Sequence, residues 1–245
     1  QFVIAYYAIL RADAVVVPVN AMSTAQELAH YLEDSGARVA FAAQELCGRL
    51  AGFIGDGRLE RVIVHTYSDY LDGAAPDAPD WVAAPRREPE VRGGVPWYGA
   101  LAVNAQPLPH RAGAKDLCLL PYTSGTTGRP KGCRHTHGTM GASLAGSQLW
   151  RGLTAEAVIM GVAPMFHLLG MQSCMNTPIL LGATVVVLPR WDRQVAARLM
   201  ARHRVSIWAA PPAMIVDFFA QPGIEALDLS SLAQLCGGGA PMPEA

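Results

Sequence analysis

The sequence predicts an α/β fold of parallel-sheet β-α-β layers, arranged as two sheet lobes of which the second is incomplete. Three observations predict it. Short apolar runs rich in Val and Ile alternate along the chain with stretches of helical periodicity. The turns between them carry Gly, Pro and helix-capping residues, and a glycine-rich loop directly follows one apolar run. This alternation favours parallel strands covered by helices.

The first α/β lobe is expected over residues 1–155. Thr24-Ala-Gln-Glu27 is a capping box, which predicts a helix that begins there and ends at Gly36. The other elements expected before residue 67 are the end of a helix at 2–12, a buried strand at 14–19, a strand at 38–41, a helix at 43–50 and a strand at 61–65.

Residues 67–114 are expected to form an irregular connection. Pro, Gly, Asp and Arg recur through 67–96, and a second Pro-rich link follows a short helix at 96–103. The β-α rhythm returns at Lys115, with a strand at 117–122, the glycine loop and a helix at 136–150.

The start of a second α/β lobe, truncated, is expected over residues 156–245. Its predicted elements are strands at 158–162, 184–188, 205–209 and 232–236, helices at 192–204 and 211–220, and a turn at 164–167.

Composition narrows the class of protein. The chain is 51% hydrophobic and 16% charged, which predicts a large buried core rather than disorder. The net charge is −1, so neither nucleic acid nor an anionic membrane is indicated as a partner. The apolar opening 2–10 ends at Arg11, short of the ~20 residues that a transmembrane span needs, and peripheral membrane association stays open.

The cysteines indicate a reducing environment. They are odd in number, widely spaced and without the spacing of metal ligands, which argues against structural zinc and against a disulfide framework. This usage favours a cytoplasmic location.

The strongest motif is Tyr122-Thr-Ser-Gly-Thr-Thr-Gly-Arg-Pro-Lys131-Gly132. Its glycines allow the backbone to approach an anion, and its amides, hydroxyls and ammonium group are donors for phosphate. The spacing between Gly128 and Lys131 differs from that of a Walker A loop, so the motif indicates another kind of nucleotide loop.

Two further segments come after predicted strands. Ala163-Pro-Met-Phe-His167-Leu-Leu-Gly170 places an imidazole after a buried strand, although a lone His there is more often structural. Cys236-Gly-Gly-Gly-Ala-Pro241 places three glycines at a strand end, where ligands of parallel sheets commonly bind. A tight strand–helix turn would explain the second segment equally well.

Together these segments resemble the adenylate-forming (AMP-binding) superfamily, in its acyl-CoA synthetase (fatty-acid–CoA ligase) branch. The three motifs occur in the family's order, and the resemblance covers essentially the whole chain. It implies the fold of the large N-terminal domain of these enzymes. It also implies ATP-dependent conversion of a carboxylic acid to acyl-AMP with release of pyrophosphate, then thioester formation with CoA, with Mg²⁺ offsetting the phosphate charge.

The resemblance also implies the roles of individual residues. Lys131, His167 and Thr126 are expected to be catalytic. The residues expected to bind the ATP phosphates are Thr123, Ser124, Gly125, Thr126, Thr127, Gly128 and Lys131. Those expected beside the adenine and acyl-adenylate are Gly238, Gly239, Ala240 and Pro241. Those expected to line the acyl pocket are Met165, Phe166, His167, Trp208 and Met214, although Trp208 and Met214 fit an ordinary core equally well.

The residue after Phe166 indicates which branch of the superfamily the chain resembles. Amino-acid adenylation domains usually have Asp where this chain has His167, so an amino-acid substrate lacks its counter-charge. An apolar acid, fatty or aromatic, is favoured instead. Transfer of the acyl-adenylate to a carrier protein, or a non-catalytic nucleotide- or acyl-binding module, remain the alternatives.

The family's downstream motifs do not occur in this sequence. These are a metal-binding Glu segment, a ribose-binding Asp segment and a mobile C-terminal domain with a catalytic Lys. The sequence is therefore expected to be part of a longer enzyme, to hold no metal ligand of its own, and to be inactive alone.

Overall fold

The computed structural model describes residues 1–71, 79–123, 128–238 and 240–241. It divides into two compact units, Gln1–Thr136 and His137–Ala245. Both contain parallel sheets with helices packed against them, which confirms the α/β class. The lobe boundary expected after residue 155 stays a prediction.

The first unit is built around a three-stranded parallel sheet of order β1-β2-β3. Its helices are α1 (Phe2–Arg11), α2 (Ala25–Ser35), α3 (Ala51–Gly55) and α4 (Trp97–Ala102), with 3-10 turns at Cys47–Leu50 and Tyr67–Tyr70. Its strands are β1 (Val39–Ala43), β2 (Arg61–His65), β3 (Gly94–Pro96), β4 (Leu117–Leu119), β5 (Tyr122–Thr123), β6 (Lys131–Gly132) and β7 (His135–Thr136).

Helix α2 begins and ends as its sequence predicts. The Thr24 hydroxyl accepts the Glu27 amide at 3.2 Å, and the Glu27 carboxylate accepts the Thr24 amide at 2.7 Å, which closes the capping box. Gly36 ends the helix with a φ of +68°, a conformation that suits glycine. Leu28 and Leu32 pack against the core beneath the sheet.

Several expectations for the first unit were wrong. Residues 14–19 form no strand: Val16 alone makes a parallel bridge, to Leu119, because Pro18 has no amide to continue the ladder. The helix expected at 43–50 is a 3-10 turn followed by the short α3. The connection 67–114 contains β3, which pairs with β2 and which the neighbouring glycines concealed.

The second unit contains a four-stranded, wholly parallel sheet of order β11-β10-β8-β9. Its strands are β8 (Val158–Gly161), β9 (Thr184–Val187), β10 (Ile207–Ala210) and β11 (Gln234–Gly237). Its helices are α5 (His137–Arg151), α6 (Leu168–Met171), α7 (Thr177–Leu181), α8 (Arg193–Arg202) and α9 (Pro212–Phe219), with a π-helical turn at Gln172–Asn176 and a 3-10 turn at Ile224–Ala226.

Both faces of this sheet are buried. Trp208 and Met160 belong to the cluster that contains α8 and α9, whereas Ile207 and Ile159 belong to a second cluster with Leu181. Neighbouring residues of a strand point to opposite faces, so one apolar run serves both clusters. This explains why the strands read as continuous apolar sequence.

The order of the strands reverses beside β8. From β8 the chain passes to β9 on one side, and then returns across β8 to form β10 and β11 on the other. In open parallel sheets, ligands bind beyond the carboxyl ends of the strands at such a switch point. The crevice between the ends of β8 and β10 is therefore the candidate ligand site of this unit.

Acidification should destabilise the first unit through His65. Burial disfavours the imidazolium and lowers the pKa of His65 to about 4. The stability that comes from neutral His65 is complete above the unfolded pKa of about 6.5 and is lost as the pH falls toward 4. The change in the pKa of His65 from 6.5 to about 4 corresponds to roughly 3 kcal/mol of folding free energy.

Urea unfolding between pH 7 and pH 4 measures this effect. His65→Phe should lose less stability on acidification than the wild type, whereas His203→Phe, at an exposed histidine, should follow the wild type. Equal acid sensitivity of the wild type and His65→Phe would contradict the assignment.

Candidate functional site

The phosphate-loop motif lies on a hairpin. Strands β5 and β6 pair antiparallel, with Tyr122 opposite Gly132 and Thr123 opposite Lys131, and we call these two pairs the stem. The strand, loop and helix follow in the order expected, and α5 begins at His137, one residue after the predicted start. The pairing of β5 with β6 and the short strand β7 before the helix were not predicted.

The stem holds part of the predicted phosphate site. Thr123 and Lys131 are exposed, and the Thr123 hydroxyl donates to the Lys131 carbonyl at 3.5 Å. Among the described residues, Gly128 and its chain neighbours apart, no heavy atom lies within 4 Å of a Cβ placed on Gly128. The predicted residues Ser124, Gly125, Thr126 and Thr127 lie outside the described residues.

His167 caps the first turn of α6 at the end of the β8 segment. Its Nδ1 atom accepts the Leu169 amide at 3.2 Å, and its own amide donates to the Pro164 carbonyl at 3.0 Å. Because Nδ1 accepts a hydrogen bond, the proton of the neutral ring is on Nε2. The side chain is exposed, so this N–H is a donor available to a ligand.

The turn before α6 requires a glycine. A Cβ on Gly170 would lie 2.3 Å from the Pro164 carbonyl oxygen and 2.4 Å from that of Ala163. Backbone therefore occupies the space of a side chain, and this contact fixes the turn that carries Met165, Phe166 and His167. Met165 and Phe166 are half-buried within it.

The glycine turn after β11 lies beside the His167 turn. Gly237 pairs with Ala210 of β10, and a Cβ on Gly238 would lie 3.9 Å from Cδ1 of Leu169. Ala240 and Pro241 are exposed, and Gly239 lies outside the described residues. The structure therefore brings together the segments after β8 and β11 at the carboxyl edge of the sheet.

Trp208 and Met214 belong to the core cluster that α8 and α9 cover. Trp208 has no exposed surface; its ring stacks on Trp191 at 5.7 Å and meets Phe218 edge-on at 5.1 Å. Met214 is half-buried against the same cluster. Both side chains serve packing here, and their place in an acyl pocket stays a prediction.

Two further features can be stated for the residues that the structure describes. Among the described residues, no group of three His, Cys, Asp or Glu side chains could hold a metal ion. No helix in the described ranges is long and apolar enough to cross a membrane.

The chain belongs to the AMP-binding enzyme family, whose model matches residues 1–245. It is 30% identical to 4-coumarate–CoA ligase 1 of Oryza sativa subsp. japonica, over 99% of this chain and 41% of the rice protein. It is 32% identical to feruloyl-CoA synthase of Amycolatopsis sp, over 95% of this chain and 40% of that protein. The chain thus spans about two-fifths of the length of these relatives.

Solved structures agree on the fold. The N-terminal domain of FACL13 from Mycobacterium tuberculosis matches 99% of this chain and 54% of its own, with a TM-score of 0.69 and 25% identity. ATP-bound MatB from Rhodopseudomonas palustris matches 98% of this chain and 43% of its own, with a TM-score of 0.76. Its 21% identity shows likeness of fold alone.

Replacing Gly170 should disrupt the turn that presents His167. Gly170→Ala forces Cβ into two backbone oxygens, which cannot rotate away as a side chain would, so we expect a loss of about 1–3 kcal/mol. Chemical unfolding measures it. Gly141→Ala, in α5 with open space around the added carbon, should be neutral or stabilising by about 0.5–1 kcal/mol.

An equal effect of the two substitutions would show that the close contact at Gly170 does not constrain the turn.

Proposed function

We propose that the protein, in its natural length, activates an apolar carboxylic acid by adenylation and then transfers the acyl group to CoA. One observation carries the proposal: in a chain of the AMP-binding enzyme family, a neutral imidazole donor and a bare glycine turn meet at the switch-point edge of the second sheet. An edge of this kind suits a ligand with a flat ring and an anionic end.

The reaction has two steps. A carboxylate oxygen bonds to the α-phosphorus of ATP as the bond to pyrophosphate breaks, which gives acyl-AMP. The CoA sulfur, after losing its proton, then bonds to the acyl carbon as AMP leaves. Both steps gather negative charge, so donors fixed in advance contribute most to the rate.

His167 is assigned to the carboxylate. With Nδ1 occupied by the Leu169 amide, the Nε2–H can donate to a carboxylate oxygen and orient it for attack. The half-buried side chains of Met165 and Phe166 on the same turn offer apolar contacts to the acyl group.

Lys131 and Thr123 are assigned to the phosphates. Their side chains sit on opposed strands of the stem, and both are exposed to a ligand. An ammonium group and a hydroxyl would steady the charge of the departing pyrophosphate. The glycine turn after β11, with Gly238 open toward Leu169, is assigned to the adenylate.

The substrate is assigned to the apolar carboxylic acids. The rice and Amycolatopsis relatives are named for 4-coumarate and ferulate, and a third, from Bacillus subtilis and 24% identical over 99% of this chain and 45% of its own, is named as a long-chain-fatty-acid–CoA ligase. No Asp follows Phe166 to pair with an amino-acid ammonium group. An aromatic and a long aliphatic acid are therefore the two substrate arms to test.

A carboxylate panel tests the proposal. Ferulate, a long-chain fatty acid and an amino acid are each supplied with ATP, with and without CoA, and pyrophosphate, acyl-AMP and thioester are measured. Acid-dependent pyrophosphate release and CoA-dependent thioester are expected. Acyl-AMP that persists in the presence of CoA favours a carrier protein as acceptor, and nucleotide binding without turnover favours a non-catalytic module.

Lys131→Ala should slow adenylate formation by about 10²-fold, because it removes the cation assigned to pyrophosphate. Initial rates of acid-dependent pyrophosphate release measure it. The chain has one other lysine, Lys115, which is exposed, and Lys115→Ala is the matched control that should keep the wild-type rate. Unaltered release by Lys131→Ala would remove the assigned role.

His167→Asn and His167→Ala separate catalysis from folding. Asn is a favourable N-cap that can still accept the Leu169 amide, whereas Ala loses the cap at a cost of about 1 kcal/mol. Both variants lack Nε2–H, so kcat/KM for the carboxylate should fall by about 10²-fold in both.

The KM for ATP should change much less in these variants. Equal losses for ATP and carboxylate, or full activity of His167→Asn, would contradict the role of His167.

A further inference from the structure

Helix α2 contacts Tyr122 of β5 and Pro130, the residue directly before β6. Its apolar side chains Leu28 and Leu32 pack on the core of the first unit. His30 and Asp34 are four residues apart, which places them on one face of the helix. Both contacts join residues about 90 to 100 positions apart along the chain.

His30 binds the backbone directly before strand β6, which begins at Lys131. Its Nε2 atom lies 2.8 Å from the carbonyl oxygen of Pro130. A carbonyl only accepts, so Nε2 carries a proton and donates. Pro130 directly precedes Lys131, and this bond therefore fixes the backbone from which the Lys131 side chain extends.

Asp34 holds the opposite strand. The Tyr122 phenol donates to the Asp34 carboxylate at 2.6 Å, and the Tyr122 ring lies 4.5 Å from that of Tyr31. A Cβ on Gly132 would come within 3.3 Å of the Tyr122 ring, so the missing side chain leaves room for the ring to cross the stem.

The Tyr122 phenol is held in its donor form. Burial raises its pKa above the ordinary value of tyrosine, and the Asp34 carboxylate raises the pKa further. The hydrogen bond to Asp34 therefore persists through neutral pH.

The stem needs this support because it is short. Two residue pairs form a hairpin that is marginal in water without packing. Helix α2 itself is fixed by its capping box and by its core contacts, and these do not involve His30 or Asp34. Loss of either side chain should therefore loosen the stem and leave the helix in place.

We propose that His30 and Asp34 are positioning residues that fix the stem so that Lys131 meets the phosphates of ATP. The inference rests on the proposed function for its catalytic consequence. Its structural consequence, the support of the stem, rests on the contacts that His30 makes with Pro130 and Asp34 makes with Tyr122. Neither residue touches the reacting atoms; each acts through the backbone or ring that it holds.

Substitution kinetics in the protein of natural length test the inference. His30→Ala and Asp34→Ala should lower kcat/KM for ATP by about tenfold to 10²-fold, since small misplacements of a catalytic group have effects of this size. The KM for the carboxylate should stay within about twofold of the wild type.

The controls distinguish positioning from folding. His30→Gln keeps an N–H donor and Asp34→Asn keeps an oxygen acceptor, so both should recover most of the lost rate. Glu33→Ala removes the neighbouring, exposed carboxylate of the same helix and should leave the kinetics unchanged. Wild-type constants for His30→Ala and Asp34→Ala, or no recovery with Gln and Asn, would overturn the inference.

Amide hydrogen exchange tests, independently of activity, whether His30 holds the stem in place. The Cys133 amide donates to the Pro121 carbonyl at 2.8 Å at the end of the stem, and its exchange should accelerate in His30→Ala. The Leu59 amide, bonded to the Phe53 carbonyl in the core, should keep its rate. An unchanged exchange rate at the Cys133 amide would show that His30 does not hold the stem.

The two readouts also separate the two proposals. A wild type that turns over no acid would refute the proposed function. Exchange at the Cys133 amide would still show whether His30 holds the stem. An active wild type with unaffected variants would refute the positioning role alone.

Discussion

The reversal of strand order beside β8 is the constraint on which the second unit depends. Parallel strands joined by right-handed crossovers must place their helices on one face when the chain moves one way and on the other face when it moves back. The route from β8 to β9 and then across to β10 therefore buries both faces of the sheet. It also leaves the carboxyl ends of β8 and β10 without a covering crossover, and the turn that carries His167 lies there, beside the Gly238 turn that follows β11.

Close backbone packing at that edge explains why glycines occur in and near the segment that carries His167. Gly170 is required because two carbonyl oxygens occupy the space of its side chain, and Gly161 faces Val185 at a distance that a Cβ would reduce to 2.7 Å. Gly170 thus fixes the turn that carries His167, whereas Gly161 allows β8 to pack closely against Val185. In the neutral His167 ring, the hydrogen bond at Nδ1 determines which nitrogen can donate to a ligand.

The sequence alone was sufficient to predict those helices and strands whose ends are determined by neighbouring residues in the chain. The capping box at Thr24 and the glycine at 36 determine the ends of α2, and the apolar runs at 61–65 and 158–161 determine their strands. The positions of His167 and Gly238 at one sheet edge also follow from their places after parallel strands. Each of these features follows from a short stretch of sequence, a cap or an apolar run, at its own place in the chain.

The features that were missed depend on distant partners. The stem needs β5 and β6 to pair across the loop, and its supports join positions 30 with 130 and 34 with 122. A single sequence carries no signal for such pairs. Strand β3 was concealed by the glycines beside it, and the apolar run at 14–19 misled because one proline stops its pairing. The burial of Trp208 likewise depends on α8 and α9 packing over it.

The proposed function depends on attack of the carboxylate on the α-phosphorus of ATP. The most direct measurement uses a carboxylic acid labelled with heavy oxygen, incubated with the protein of natural length, ATP and CoA, and follows the label by mass spectrometry. Adenylation predicts that one labelled oxygen appears in AMP for each thioester formed. Label in inorganic phosphate, or thioester formed without label in AMP, would contradict the account.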